Sequence, residues 1–293
     1  MPADTKLYLY LDPGGLISRA PKAWDPSQFG GWVPHQMIQY LWPTGPWYWL
    51  CDRLGVPDWV AHRLWIATLL FMAGLGVHRF LRATGSAAHG ALVGALMYQL
   101  SPFVVPYVSR TSVMLLPWAA LGWLLLLTRR AFLEGGWRAP AWIALVVFTA
   151  AGVNATAFAV ILPAPVLWVL LEWRARRLTT RHVLGTSARI GLLASLASAW
   201  WVAMLAIQSR YGANLLGYSE TLDSVAYTAN SVEIMRGLGY WLFYVKDPYA
   251  AATTASIAYQ HSVLLILIGF ALTAVCLLGL AIVRFAHRRF ALL

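Results

Sequence analysis

The run PAWIALVVFTAAGVNATAFAVILPAPVLWVLLEW at residues 140–173 shapes the whole chain. A transmembrane helix needs only about 20 mostly apolar residues to cross the hydrocarbon, so this run is too long for a single crossing. Gly152-Val153-Asn154 interrupts it with residues that favour a turn, because glycine is flexible and the Asn side chain competes for backbone hydrogen bonds. We interpret 140–173 as a helical hairpin of two tilted or half-depth helices.

Other apolar runs lie on both sides of the hairpin, at 64–81, 87–107, 112–128, 188–208 and 262–283. Together with the two arms of the hairpin they make seven membrane segments. Because 60% of the 293 residues are apolar and only 11% are charged, a water-soluble domain is excluded. The sequence predicts an all-α, polytopic transmembrane helical bundle with extracytoplasmic loops.

The arginines orient these segments, because cytoplasmic loops carry an excess of Lys and Arg. With residue 1 outside, the dense basic clusters near 79–82, 129–138, 174–189 and 284–289 all lie inside. If 140–173 crossed only once, the four-Arg group at 174–181 would lie outside, against this rule. Nine of the eleven acidic residues then lie on the extracytoplasmic side, so we expect the polar chemistry there.

The chain therefore divides into four regions. Residues 1–62 form a first extracytoplasmic loop with the candidate active site, and 63–208 form transmembrane helices. Residues 209–261 form a second large extracytoplasmic loop, and 262–293 form the final helix with a cytoplasmic basic end. Because Met1-Pro2-Ala3 lacks the features of a signal peptide, we expect a helix ahead of residue 1. We also expect the protein to continue beyond Leu293.

The net charge of +11 is attributed to this topology and to attraction to anionic lipids of the inner leaflet. Nucleic acid is not an expected partner. An acidic cytoplasmic protein that docks on Arg174 to Arg181 is the alternative. Cys51 lies outside and Cys276 lies deep in the last helix, so they cannot form a disulfide with each other.

The extracytoplasmic side offers the groups that transfer of a lipid-phosphate sugar requires. Asp4 is the candidate base for an acceptor hydroxyl. Four cations near helix ends are candidates to stabilise the departing phosphate, and the apolar helices supply a groove for a polyprenyl tail. These cations are Lys6, Arg110, Arg210 and Arg236. An inverting single displacement needs only one essential carboxylate, and no second acid stands at a compelling spacing.

Several other polar residues could have either a structural role or a role in ligand binding. Asn154 either caps the hairpin turn or contacts substrate. His35 and His261 are interpreted as interfacial side chains, because no His or Cys pair has the spacing of metal ligands. No cofactor is predicted, although a divalent ion held by Asp4 with Asp25 is left open.

An ordered set of motifs resembles the amino-terminal region of the actinobacterial arabinofuranosyltransferase D (AftD) family. The motifs are Ala3-Asp4-Thr5-Lys6-Leu7-Tyr8-Leu9, Trp24-Asp25, Phe29-Gly30, Tyr40-Leu41-Trp42-Pro43-Thr44-Gly45, Gly55-Val56-Pro57, Arg63-Leu64-Trp65, Ser109-Arg110-Thr111-Ser112, Leu116-Pro117-Trp118-Ala119, Gly152-Val153-Asn154-Ala155, Gln208-Ser209-Arg210-Tyr211 and Met235-Arg236-Gly237-Leu238-Gly239-Tyr240-Trp241. They extend over most of the chain in the family's order.

The resemblance implies a GT-C glycosyltransferase fold in the plasma membrane, with its active site on the extracytoplasmic face. It implies transfer of arabinofuranose from decaprenylphosphoryl arabinose to arabinan of the cell envelope, with alpha-1,3 branching. The acidic residue of the first outer loop would be catalytic, and it corresponds to Asp4. His35, Tyr240 and Trp241 complete the candidate substrate-binding residues. The family's preceding helix and its large carboxy-terminal part with carbohydrate-binding modules are absent from these 293 residues.

Two other classes of function stay open. A polyprenyl-lipid transporter would place ionisable residues inside the membrane, but the one Asp or Glu within a predicted span is Glu172, the penultimate residue of 140–173. Nor does the sequence contain two matching halves of the kind that many carriers have. A non-catalytic scaffold for envelope assembly is the second alternative, and a lipid-linked sugar bound beside Asp4 would distinguish the enzyme from both.

Overall fold

The computed structural model describes residues 11–27, 30–33, 37–104, 107–108, 114–212, 223, 226–227, 229–239, 243–244 and 254–282. The chain divides into two compact units, which are described separately. One comprises Met1–Gln99 and Thr111–Asn214, and the other comprises Leu100–Arg110 and Leu215–Leu293. The described residues form helices and their connections, apart from one isolated antiparallel bridge between Asp25 and Trp32. The predicted all-α class is confirmed.

The first unit contains nine α-helices in its described part and a short 3-10 helix, Met37–Tyr40. Two short helices come first, α1 (Pro13–Arg19) and α2 (Thr44–Arg53). The apolar helices follow: α3 (Asp58–Ala83), α4 (Ala88–Gln99), α5 (Leu115–Glu134), α6 (Arg138–Ala150), α7 (Ala155–Ile161), α8 (Pro163–Arg174) and α9 (Thr180–Tyr211). The second unit contains α10 (Ser231–Met235), α11 (Thr254–His261) and α12 (Val263–Ile282).

Four helical stretches of the described ranges are long and apolar enough to cross a membrane, and α6 is a shorter apolar helix. The four are Asp58–Ala83, Ala155–Arg174 (α7 and α8 taken together), Thr180–Tyr211 and Val263–Ala281. Such a set of helices makes the chain a multi-pass membrane protein.

Several of the apolar runs differ from their predicted bounds. α5 extends to Glu134 rather than 128, and α9 begins at Thr180 rather than at 188. α3 begins at Asp58 rather than at 64 and so includes the polar residues His62 and Arg63; Asp58 lies in its first turn, where a negative charge is favourable. α4 ends at Gln99 rather than at 107. Its end precedes Pro102, whose ring cannot continue a helix without losing a backbone hydrogen bond.

The helix break expected at 152–154 is present, and the chain reverses direction there. α6 ends at Ala150 and α7 begins at Ala155. At the far end from the break, Arg189 Nη1 donates to Gly136 O at 3.5 Å, and Trp173 Nε1 donates to Thr180 Oγ1 at 3.1 Å. The start of α6 and the end of α8 therefore both lie near the first half of α9, as in a hairpin.

α3 and α5 cross at close range. A Cβ atom on Gly122 would lie 2.5 Å from the backbone nitrogen of Val77, so only glycine fits at this position. Trp123 Nε1 donates to Met72 O at 2.9 Å and fixes the same crossing. In α4, a Cβ on Gly94 would lie 2.8 Å from Leu81 Cδ1, whereas Gly90 faces open space.

Candidate functional site

The described part of residues 1–62 forms a folded layer on the start of α3. Leu16, Tyr40, Tyr48 and Ala61 form a buried apolar cluster, with Trp47 packed against it. Two aromatic side chains of this layer are hydrogen-bonded to the start of α3: Trp47 Nε1 donates to Ala61 O at 3.1 Å, and the Tyr48 hydroxyl lies 3.2 Å from His62 Nδ1. Burial of aromatic rings therefore orders the described part of the loop in which Asp4 was predicted to act.

Two carboxylates of this loop have local structural roles. Asp12 caps α1, because its Oδ1 accepts from Gly15 N at 2.8 Å. Asp25 accepts hydrogen bonds from the hydroxyl and the backbone N–H of Ser27, and these bonds lower the pKa of Asp25 below its usual value. Over the described ranges, no three His, Cys, Asp or Glu side chains converge in a metal-binding arrangement. The proposed pairing of Asp25 with Asp4 cannot be placed, because Asp4 lies outside these ranges.

Six of the nine candidate site residues lie outside the described residues. They are Asp4, Lys6, His35, Arg110, Tyr240 and Trp241. The three that are described fall in both units: Asn154 and Arg210 belong to the first, and Arg236 belongs to the second.

Asn154 caps the hairpin turn. Its Oδ1 accepts from Ala157 N at 2.9 Å, and its Nδ2 donates to Met114 Sδ at 3.3 Å. Both ends of the amide thus hold the start of α7 against the start of α5. The cap reading of this residue is confirmed, and contact with substrate stays a prediction.

Arg210 lies in the last turn of α9, where its side chain is exposed. Its guanidinium carbon lies 5.7 Å from the centroid of the Tyr211 ring, a cation–π distance. Within the described ranges, no carboxylate forms an ion pair with Arg210. Its charge is therefore available to a ligand at the end of this helix.

Arg236 occupies a different environment from the one expected of a free cation. Its side chain is only 7% exposed, and its Nη1 lies 2.9 Å from Oε1 of Glu233. Its Nη2 also donates to the backbone oxygen of Tyr259. The Tyr244 hydroxyl donates to the second oxygen of Glu233, and burial together with this bond raises the pKa of Tyr244. Arg236 thus ties α10 to neighbouring parts of the second unit.

A wide apolar groove lies between α5, α6, α7, α8 and α9, with a volume of about 1070 Å³. Its wall on α9 runs from Val183 to Ala203. Arg210 follows Ala203 by seven residues, about 10 Å further along the helix axis. The groove thus leads along α9 towards an exposed cation.

Sequence reasoning missed Trp201, which lines this groove. Its indole Nε1 is buried and finds no acceptor among the described residues, and the neighbouring Trp200 Nε1 is in the same situation. A buried donor without an acceptor costs free energy, so Trp201 Nε1 is suited to a polar group of a ligand. Two adjacent indoles inside an apolar span were the available signal, because a buried indole N–H normally finds a partner.

Comparison with known proteins gives one family. The profile of the alpha-(1→3)-arabinofuranosyltransferase N-terminal GT-C domain matches residues 1–293. The chain belongs to this family. The alpha-(1→3)-arabinofuranosyltransferase of Mycobacterium tuberculosis is 32% identical over 85% of the chain, and that of Mycolicibacterium smegmatis is 31% identical over 95%.

Solved structures of the mycobacterial family member AftD agree with this assignment. One cryo-EM structure superposes with a TM-score of 0.68 at 26% identity and covers 100% of the chain. A second, of a mutant, gives 0.67 at 26% identity over 92%. The GT-C fold predicted from the motifs is confirmed. The chain spans about a fifth of the length of the curated relatives, 18% and 19%, so it matches the GT-C domain rather than the whole of those proteins.

Proposed function

We propose that this chain is the catalytic membrane domain of an arabinofuranosyltransferase. It transfers arabinofuranose from decaprenylphosphoryl arabinose to arabinan of the cell envelope, on the extracytoplasmic face, and makes an alpha-1,3 branch. The observation that carries this proposal is the match of all 293 residues to the GT-C domain of the alpha-(1→3)-arabinofuranosyltransferase family. The apolar groove and the exposed Arg210 support it independently.

The reaction is an inverting single displacement. The Asp4 carboxylate takes the proton from an acceptor hydroxyl, and the hydroxyl oxygen attacks the anomeric carbon of the arabinose. The bond between that carbon and the phosphate oxygen breaks, and polyprenyl phosphate leaves. One carboxylate is enough, because no covalent sugar–enzyme intermediate forms.

The groove between α5 and α9 takes the polyprenyl tail of the donor. Its lining is almost wholly apolar, which suits a hydrocarbon chain. Arg210 at the end of α9 then meets the donor phosphate and stabilises the charge that develops as it leaves. Lys6 and Arg110 act with Arg210, while His35, Asn154, Tyr240 and Trp241 contact sugar or acceptor.

Arg236 has a structural role rather than a contact with the donor phosphate. Because its guanidinium is buried against Glu233, its role is to hold the second unit in shape. The free cation among the described candidates is Arg210.

The cytoplasmic partner is a separate proposal. An acidic protein would meet Arg174, Arg176 and Arg181, all of them exposed. Arg177 is committed to Glu172 at 3.2 Å and contributes less to such a surface.

A transfer assay tests the function. The chain, and a fusion that adds the remaining segments of the Mycolicibacterium smegmatis relative, are each incubated with decaprenylphosphoryl arabinose and an arabinan oligosaccharide. We expect the fusion to make product with an alpha-1,3 linkage, identified by NMR. If the fusion makes no product while the relative itself is active under the same conditions, the scaffold alternative replaces the enzyme.

A further inference from the structure

A second groove of the first unit lies between α3, α5 and α6, with a volume of about 610 Å³. Most of its lining is apolar, including Leu69, Leu116 and Val146. Its two threonine hydroxyls already have partners within the chain: Thr68 donates to Leu64 O at 2.8 Å, and Thr149 accepts from Trp42 Nε1 at 3.3 Å. The groove is thus a lipid-compatible surface with little polarity of its own along most of its length.

Three arginines supply the charge of this groove: Arg79, Arg130 and Arg138. Arg79 and Arg130 come from the last two turns of α3 and α5, and Arg138 is the first residue of α6. α5 ends where α6 begins, and α3 runs parallel to α5. Gly74 of α3 packs against Gln99 at the end of α4, and the adjacent Tyr98 donates to Trp118 O near the start of α5 at 2.8 Å. Further along both helices, Gly76 and Val77 pack against Gly122. All three arginines therefore lie towards the same end, the one predicted to face the cytoplasm.

No acidic side chain neutralises these three charges within the described part of the chain. Arg79 stacks over the ring of Trp123 at 5.4 Å, which leaves its N–H donors free. All three side chains are exposed. The three guanidinium groups are suited to an anionic lipid headgroup, and the apolar groove that they line is suited to a hydrocarbon chain.

We propose that this groove binds one acidic glycerophospholipid of the cytoplasmic leaflet. The phosphodiester lies among Arg79, Arg130 and Arg138, because guanidinium groups bind phosphate oxygens with paired N–H donors. One acyl chain lies along α3 and α6 towards Pro43. Basic pockets between transmembrane helices on the cytoplasmic side are sites of this kind. The inference does not depend on the transfer reaction.

Native mass spectrometry of the purified chain in detergent tests the site, with phosphatidylglycerol as the probe and phosphatidylcholine as the zwitterionic reference. Each lost arginine should weaken phosphatidylglycerol binding about fivefold, so Arg130→Gln with Arg138→Gln should weaken it about 30-fold. The matched control is Arg174→Gln with Arg181→Gln, two exposed arginines predicted on the same side that do not line the groove. Equal losses of phosphatidylglycerol binding in the two double variants would show that arginines on this side act only by general attraction of anionic lipid, and would overturn the proposed site.

A charge-neutral variant tests the chain-binding part. Val146→Trp fills the groove without touching the arginines, and it should reduce phosphatidylglycerol binding as strongly as the loss of one arginine. Unchanged binding would show that no acyl chain enters. The single variants Arg130→Gln and Arg138→Gln replace the double variant if it fails to purify as a monodisperse species. Displacement of phosphatidylglycerol by an equal amount of polyprenyl monophosphate would overturn the assignment in favour of the single-chain lipid.

Discussion

Arg210 and Arg236 were equivalent in the sequence, because both are arginines at the edge of an outer loop. Their surroundings separate them: Arg210 is exposed at the end of α9, and Arg236 is buried against Glu233. The spacing of Glu233 and Arg236, three residues apart, was the available signal for a pair on one helical face. Burial of that pair depends on contacts with distant residues such as Tyr244 and Tyr259, which local spacing does not reveal.

Arg210→Ala should lower turnover about 30- to 1000-fold. Loss of a charge-assisted bond to a phosphate that gains charge in the transition state costs about 2 to 4 kcal/mol. The measurement is initial transfer rate at saturating donor. Arg63→Ala is the matched control, since Arg63 is also predicted outside and stacks on an aromatic ring, Trp59, at 4.7 Å. Similar rates in the two variants would remove Arg210 from the phosphate site.

Arg236→Ala should lower the stability of the folded chain, and any loss of transfer activity should follow from that lower stability. Removal of the buried guanidinium leaves the half-buried Glu233 carboxylate without its counter-charge, which costs up to about 3 kcal/mol because Glu233 keeps some access to solvent. Thermal unfolding in detergent should show a lower midpoint, and replacing both residues with apolar ones should restore part of the loss. An unchanged midpoint together with a large fall in transfer would instead place Arg236 at the donor.

Helix boundaries could be predicted from the sequence where a residue type restricts the backbone conformation or removes a helical hydrogen bond. Glycine and asparagine at 152–154 predicted the hairpin break, and Pro102 explains the end of α4. The earlier start of α3 was missed, because the apolar run itself begins only at Leu64. A groove for a polyprenyl tail was predicted, but the position and lining of the two grooves could not be, since they depend on which helix faces come together.

Accessibility labelling tests whether residues 140–173 cross the membrane twice. In a background with Cys51 and Cys276 replaced by Ser, single cysteines at Glu134 and Ala175 should react only from the cytoplasmic side, and a cysteine at Tyr227 only from outside. Glu134 and Ala175 are both exposed, whereas Leu178, three residues after Ala175, is buried. Labelling of Glu134 and Ala175 from opposite faces would exclude two crossings by residues 140–173.

The crossing of α3 and α5 sets the spacing of the bundle. Gly122→Ala should destabilise the chain by about 1 to 3 kcal/mol, because the added methyl group would overlap the backbone of Val77. Gly90→Ala is the control, since that position faces open space and alanine favours a helix. Equal melting midpoints in the two variants would show that the helices do not approach this closely.

At the scale of the whole molecule, the chain is a GT-C domain that spans about a fifth of the curated relatives. Its described part supplies an apolar groove, an exposed cation and a folded layer at the start of α3. The order of the motifs predicted the family from sequence, because it extends over most of the chain. The constellation around Asp4 was predicted from resemblance and chemistry, and it lies outside the described residues.

The most direct test of the proposed reaction compares Asp4→Asn with Asp12→Asn. Asn keeps the shape of Asp but cannot take the acceptor proton, so Asp4→Asn should lower transfer about 100- to 10,000-fold while donor binding persists. Asp12 caps α1, and Asn caps a helix equally well, so Asp12→Asn should retain the parent rate. Transfer from decaprenylphosphoryl arabinose by the fusion protein is the measurement. Full activity in Asp4→Asn, or an equal loss in both variants, would contradict the assignment of Asp4 as the base.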